Sequence, residues 1–495
     1  MTLIPFAEWR PDMPALGQWA REALNVVPAE ESYRPLNSLA GVSDPIALRA
    51  QGAAWFRGIA GATKMFAGDA SKLYMLTDTT WNDVSRTAGG PYAPGGDNLW
   101  RFAQFGALAI AVNGVDAPQK FDLGTGTNWM ALGGTPPVGT FVTTVRDFVL
   151  IGKIGNAPQR VQWSGFNNCE IWGTSLSAQA DLQDLPDGGN VTGLVGGEYG
   201  LIFQETSVRR MTYEGPPVVF RIDKIANDIG ASVPGSVAGL LDMAFFLHKS
   251  GFYMVRSGQA IAPIGRGKVD RTFWAEFDET KQFFSSSAID PVRGLYVYAY
   301  PADGGGVGGI PNRLLIYNWH TERWSRAIVE CELVFGGVSQ QAYTLEDLDD
   351  FGDGDLDSLP YSLDSSFWTG TLSLLLFAFD TSHCSGSFSG PSLAATVETG
   401  EFNPGKAGMR SVVRALRPLI DGGSPQIQLG ARETQQSTVA YGPPASLTPA
   451  GMAPVYGSGR YFRVRATMPA GETPGGTWQN MQGIDDLDVR PAGAQ

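Results

Sequence analysis

From about residue 52 one order recurs along the chain: an apolar strand, a tight polar or glycine turn, a second strand, and in several units a third strand bearing tryptophan. The first unit runs through residues 72–76, a turn at 77–80 and a strand opened by Trp81. The next opens at 108–112, turns at Asn113-Gly114, continues through 119–122 and reaches the strand of Trp129. Asn-Gly between apolar runs predicts a tight hairpin, because both residues tolerate positive φ. Further openings lie at 148–152, 200–204, 244–248 and 294–298. Their partner strands are 160–164, 207–211, 251–255 and 313–318, the last leading to Trp324.

The openings recur at roughly 35 to 55 residues, which brackets the period of propeller blades. The pattern therefore predicts an all-β chain with a β-propeller of about six blades over residues 52–340. A ring suits such a repeat because each small sheet buries its faces only against neighbours, and closure leaves short, protected edges. Hairpins in two stacked sheets are the competing architecture.

The flanks read differently. Residues 1–51 carry Pro5, Pro11, Pro14, Pro28, Pro35 and Pro45, which resist helix and central strand alike and predict an extended N-terminal arm. Residues 341–390 change to acidic, then serine-rich and aromatic composition, as an acidic connector or insertion would. Period-two polarity returns at 394–400, 411–416, 426–429 and 460–466, predicting a C-terminal, sandwich-like β domain over 391–495.

Composition supports many short strands. Of the 495 residues 43% are hydrophobic and 17% charged, with 63 Gly and 32 Pro to make turns and 13 Trp to fill wedges between twisted sheets. The net charge of −13 argues against broad adhesion to nucleic acid or anionic membranes, while leaving room for a local basic patch. Cys169, Cys331 and Cys384 lie far apart and form no CxxC pair, so reduced thiols are expected. No window approaches a membrane span, and the first residues lack a secretory pattern, so synthesis in the cytosol is expected.

Chemistry-bearing patterns are sparse. Asp349, Asp353, Asp355 and Asp357, with Gly352 and Gly354, resemble an oxygen-rich Ca²⁺ loop, yet the twelfth position counted from Asp349 is Pro360 rather than Glu. A solvated acidic loop is the plainer reading of these metal candidates. His248, His320 and His383 show no zinc-binding spacing, and no G-x-S-x-G elbow occurs. No cofactor and no enzymatic activity are expected. Arg410, Arg414 and Arg417 near Lys406, with Arg460, Arg463 and Arg465, can gather on one sheet face that meets DNA or an acidic protein. Ordinary solvated strand faces are the alternative.

The order of segments resembles that of the tail-nozzle, or packaged-DNA stabilisation, proteins of short-tailed bacteriophages. The likeness rests on Tyr33-Arg34-Pro35-Leu36-Asn37 in the arm and on Asn113-Gly114-Val115-Asp116. It continues through residues 196–203, 258–264 and 314–318. It implies a propeller protein of the virion tail, forming a homo-oligomeric ring, expected to be hexameric, beneath the portal and adaptor proteins. Tail fibre or spike proteins would be further partners, and DNA would pass through the lumen without sequence-specific binding. The alternative is a glycan-binding or glycan-cleaving tail protein.

Overall fold

Runs such as Phe148–Ile154 and Leu295–Tyr300 are apolar on both faces because each lies inside a sheet packed between two other sheets. The computed structural model describes residues 3–59, 61–96, 98–240, 242–338, 358–359, 362, 374–405 and 409–493. Within them the chain forms a seven-bladed propeller fused to a two-sheet β unit.

Each of the first six blades is a meander of four antiparallel strands. Their innermost strands are Gly52–Arg57, Arg101–Phe105, Gly139–Val145, Val191–Val195, Ala238–Leu240 and Ser286–Asp290. Blade 7 takes Leu333–Val338, Leu374–Phe379 and Cys384–Ser387, and its outer strand, Ala40–Pro45, comes from the arm. Seven apolar clusters seal the seven junctions between blades. Phe66, Phe121 and Trp129 pack between blades 1 and 2, for example, and Phe335, Phe379 and Trp81 between blades 7 and 1. Glycine permits the closest approach between blades 4 and 5, where a Cβ on Gly239 would fall 2.2 Å from Val195.

The blade count is thus seven where the repeat predicts about six. The seventh escapes the periodicity because its strands straddle the acidic segment and its fourth strand lies more than three hundred residues upstream, Cys384 facing Pro45 and Ser387 facing Ala40. The insertion assigned to 341–390 accordingly narrows, since Leu374–Phe379 and Cys384–Ser387 are blade strands.

The arm is extended, but its backbone is already paired within the monomer. Ile4–Pro5 joins the long strand Trp478–Gly493, Val26–Pro28 pairs with Tyr33–Pro35, and Glu22–Leu24 bridges blade 6 to Ala395–Glu398. Phe6, Trp9 and Tyr33 are buried, and they supply the apolar anchorage that the arm's prolines alone do not reveal. Asn113-Gly114 does not make a tight hairpin. Asn113 Oδ1 instead accepts hydrogen bonds from the Val115 and Asp116 amides, opening a loop that ends at Gln119–Asp122.

The C-terminal region is a sandwich of two sheets, as its alternation predicts. One contains Arg410–Gly422 paired with Trp478–Gly493; the other contains Ala395–Glu398, Tyr461–Met468 and Gln426–Arg432. It is not independent of the propeller. Through Glu22–Leu24 its second sheet continues blade 6, making nine strands in one sheet. Val413, Leu416, Phe462 and Val464 of the sandwich share one core with Phe245, Tyr296 and Tyr317 of blades 5 and 6.

Candidate site at the mouth of the propeller channel

In each blade the innermost strand starts at the same end of the propeller, where the turn between the second and third strands also lies. These segments converge around a cavity of about 650 Å³ at one mouth of the central channel. Five blades contribute side chains to it. Arg101 opens the inner strand of blade 2, Lys153 follows Gly152 in blade 3, Thr192 lies on the inner strand of blade 4, and Lys249 occupies a turn of blade 5.

Arg101 reaches deepest, lining this cavity and two smaller ones further along the channel. Its guanidinium lies 5.9 Å from the Phe141 ring, and among the described residues it makes no ion pair. Burial lowers its pKa to about 10, so it remains a cation at neutral pH, one stripped of much of its water. The ladder of blade 3 shifts register between Gly152 and Ile154, and Lys153 adopts a φ of +53°, which takes it out of the regular alternation. Lys249 is exposed, with its backbone N–H donating to Ser232 Oγ over 3.1 Å.

The polar groups around these cations are partly satisfied. Glu205 Oε1 accepts from Asn190 Nδ2 at 2.9 Å, which holds this carboxylate against an amide. Thr192 is 6% exposed, and among the described residues its hydroxyl has no hydrogen-bond partner. A buried, unpaired hydroxyl is costly unless something supplies the missing bond. His248 Nδ1 lies 2.8 Å from Ser250 Oγ, and burial lowers its pKa, with Lys249 adding to the effect. Among the described residues that line the mouth, three cations face one carboxylate, in a chain of net charge −13. Such an arrangement can hold an oxyanion and offer neutral donors beside it.

The residues singled out in the sequence fall elsewhere. Asp349, Asp353, Asp355 and Asp357 lie outside the described residues, and among the described residues no group of three or more His, Cys, Asp or Glu is placed to hold a metal ion. The three cysteines are free thiols. His383 belongs to blade 7, where its Nδ1 lies 2.6 Å from Glu332 Oε1, and His320 packs beside Trp319.

The C-terminal arginines do not form a free basic face. Arg463 pairs with Glu398 and Glu401, Arg465 with Glu398, and Arg410 with Glu433. Arg414 and Arg417 are exposed on the other sheet, where Arg417 sits opposite Asp486. Lys406 lies outside the described residues. Sequence reading missed the channel mouth because its cations are contributed by separate blades. No local spacing could reveal them.

No protein-family model and no curated protein matches the sequence. Among solved structures, the chain is similar to BamB from Moraxella catarrhalis, with 11% identity over 74% of this chain and 94% of that one, at a TM-score of 0.36. It is also similar to the N-terminal domain of Nup159, with 10% identity over 74% of this chain and 98% of that one, at 0.39. The extracellular domain of the putative one component system BT4673 from B. thetaiotaomicron is a third, with 10% identity over 77% of this chain and 44% of that one, at 0.41. These likenesses are to propeller folds and carry no argument about ligand or role. Among the described residues no helix is long and apolar enough to cross a membrane.

Proposed function

We propose that the chain is a structural protein of a bacteriophage tail. In this reading it assembles into a homo-oligomeric ring, expected to be hexameric, that retains packaged DNA below the portal and adaptor and forms the conduit for its ejection. The observation that supports it most is the continuity of the nine-stranded sheet from blade 6 into the C-terminal sandwich, stitched by Glu22–Leu24 of the arm. A wall around pressurised DNA must transmit load between its parts. A hydrogen-bonded sheet with a shared core does so where a flexible linker would not. The net charge of −13 would keep exiting DNA from adhering to the lumen, because like charges repel and no phosphate clamp forms. Tail fibre or spike proteins would dock on the outside of the ring.

The competing reading is a glycan-binding or glycan-cleaving tail protein, which the polar cavity at the channel mouth favours. Electron microscopy of the purified protein separates the two. A closed ring with a central lumen is the expected result; isolated monomers together with turnover of host polysaccharides would overturn the structural reading.

A further inference from the structure

We infer that the mouth of the propeller channel is a binding site for a small acidic saccharide, a polyhydroxylated ring carrying a carboxylate or phosphate. The inference goes beyond the proposed tail role and stands or falls separately from ring assembly, because the cavity is complete within one chain.

The charge pattern selects an anion. Arg101, Lys153 and Lys249 face the cavity with no carboxylate paired to any of them among the described residues, and Glu205 is occupied by Asn190. Placing cations around a recess raises the local concentration of anions far more than the same charges spread over a convex surface. Arg101 is central because it lines this cavity and both smaller ones, and a charge-assisted hydrogen bond gains strength where water is partly excluded.

The cavity volume and its neutral groups select the rest of the ligand. About 650 Å³ lies within the range of small-molecule sites and exceeds what a bare phosphate needs. Thr192 also lines this space, although its own hydroxyl is closed off from solvent and has no partner among the described residues. Asn98 and Gln282 line the same space and offer amide groups suited to sugar hydroxyls, while Phe283 provides an apolar face for a ring. A neutral sugar would leave Arg101 unpaired, and inorganic phosphate would leave the amides unused. The ligand that uses both sets is an acidic saccharide.

The test is isothermal titration of the full chain with glucuronate, glucose 6-phosphate, glucose and inorganic phosphate at low salt. The inference expects saturable binding of glucuronate or glucose 6-phosphate, at least tenfold tighter than glucose and tenfold tighter than inorganic phosphate. The two acidic sugars distinguish a carboxylate from a phosphate preference. Arg101→Gln should weaken binding at least tenfold. Lys249→Gln, a change on an exposed turn that leaves folding intact, should weaken binding and flatten its salt dependence. Equal binding of glucose would overturn the role of the cations. Inorganic phosphate binding as tightly as the sugars would reduce the site to an anion hole and overturn the saccharide. Absence of binding by all four probes, or unchanged binding in both Arg101→Gln and Lys249→Gln, would overturn the site itself.

Discussion

The imidazole Nδ1 of His383 lies 2.6 Å from Oε1 of Glu332, whose other carboxylate oxygen accepts the Ala50 backbone N–H at 2.8 Å. Three segments meet at this carboxylate: the lead-in to blade 7, the turn between two of its strands, and the passage from the arm into blade 1. Glu332 is 4% exposed, and burial pushes its carboxyl above the ordinary range even though Ala50 and His383 pull it down. Replacing Glu332 with Ala strands a buried amide and removes the partner of His383. The expected loss is about 1–3 kcal/mol of stability, read as a shift in the urea midpoint at unchanged slope. His383→Ala should cost less, since the Ala50 amide keeps its acceptor.

The seam between arm and blade 7 allows a sharper probe. Gly386 lies opposite Gly41, and a Cβ there would sit 2.3 Å from the Ala40 carbonyl oxygen. Gly386→Val should therefore push the arm strand off the blade. Hydrogen exchange of Ala40–Pro45 is expected to accelerate at least tenfold, with exchange in blades 2 to 4 unaffected.

Asp270, at the start of helix Asp270–Glu276, is buried and accepts the Phe252 N–H at 3.1 Å. Burial raises its pKa from 3.8 to about 7, opposed by that hydrogen bond and assisted by Asp12. Because the folded carboxyl holds its proton more tightly than the unfolded one, the native state binds the extra proton between about pH 4 and 7, so this group's contribution to stability falls as pH rises through that window. Asp270→Asn mimics the protonated form. It should raise the melting temperature at pH 8 relative to the parent chain, and the gain should vanish near pH 4. A constant gain across that range would contradict the assignment.

Inside the sandwich, Glu401 is fully buried and joined to Arg432 at 2.5 Å and to Arg463 at 3.0 Å. Glu401→Ala leaves two largely buried guanidiniums short of a carboxylate, and about 3–5 kcal/mol of destabilisation is expected in chemical denaturation. Because Arg463 and Arg465 are committed to Glu398 and Glu401, raising the salt concentration should change this stability little compared with an exposed pair.

What the sequence disclosed follows from burial. The strands recognised as openings at 108–112, 148–152, 200–204, 244–248 and 294–298 are second strands of their blades, apolar on both faces because a sheet packs on each side. Inner strands such as Ala238–Leu240 are short, line the channel and carry too little apolar contrast to be noticed. Arm strands were hidden for another reason. Glu22–Leu24 and Ala40–Pro45 are ordinary three- and six-residue segments whose partners, at 396–398 and 384–387, lie far along the chain. The channel mouth shared that obstacle, since Arg101, Lys153, Thr192 and Lys249 become neighbours only when the ring closes.

The arm's pairings also set a timetable for synthesis. Ala40–Pro45 leaves the ribosome before any blade exists, yet its partner strand Cys384–Ser387 emerges only after the other blades have been made. Ile4–Pro5 waits longer still, for Gly483 and Ile484. Throughout translation the arm therefore presents unpaired strand edges and the buried-to-be Phe6, Trp9 and Tyr33 to solvent, the condition under which nascent chains aggregate or recruit chaperones.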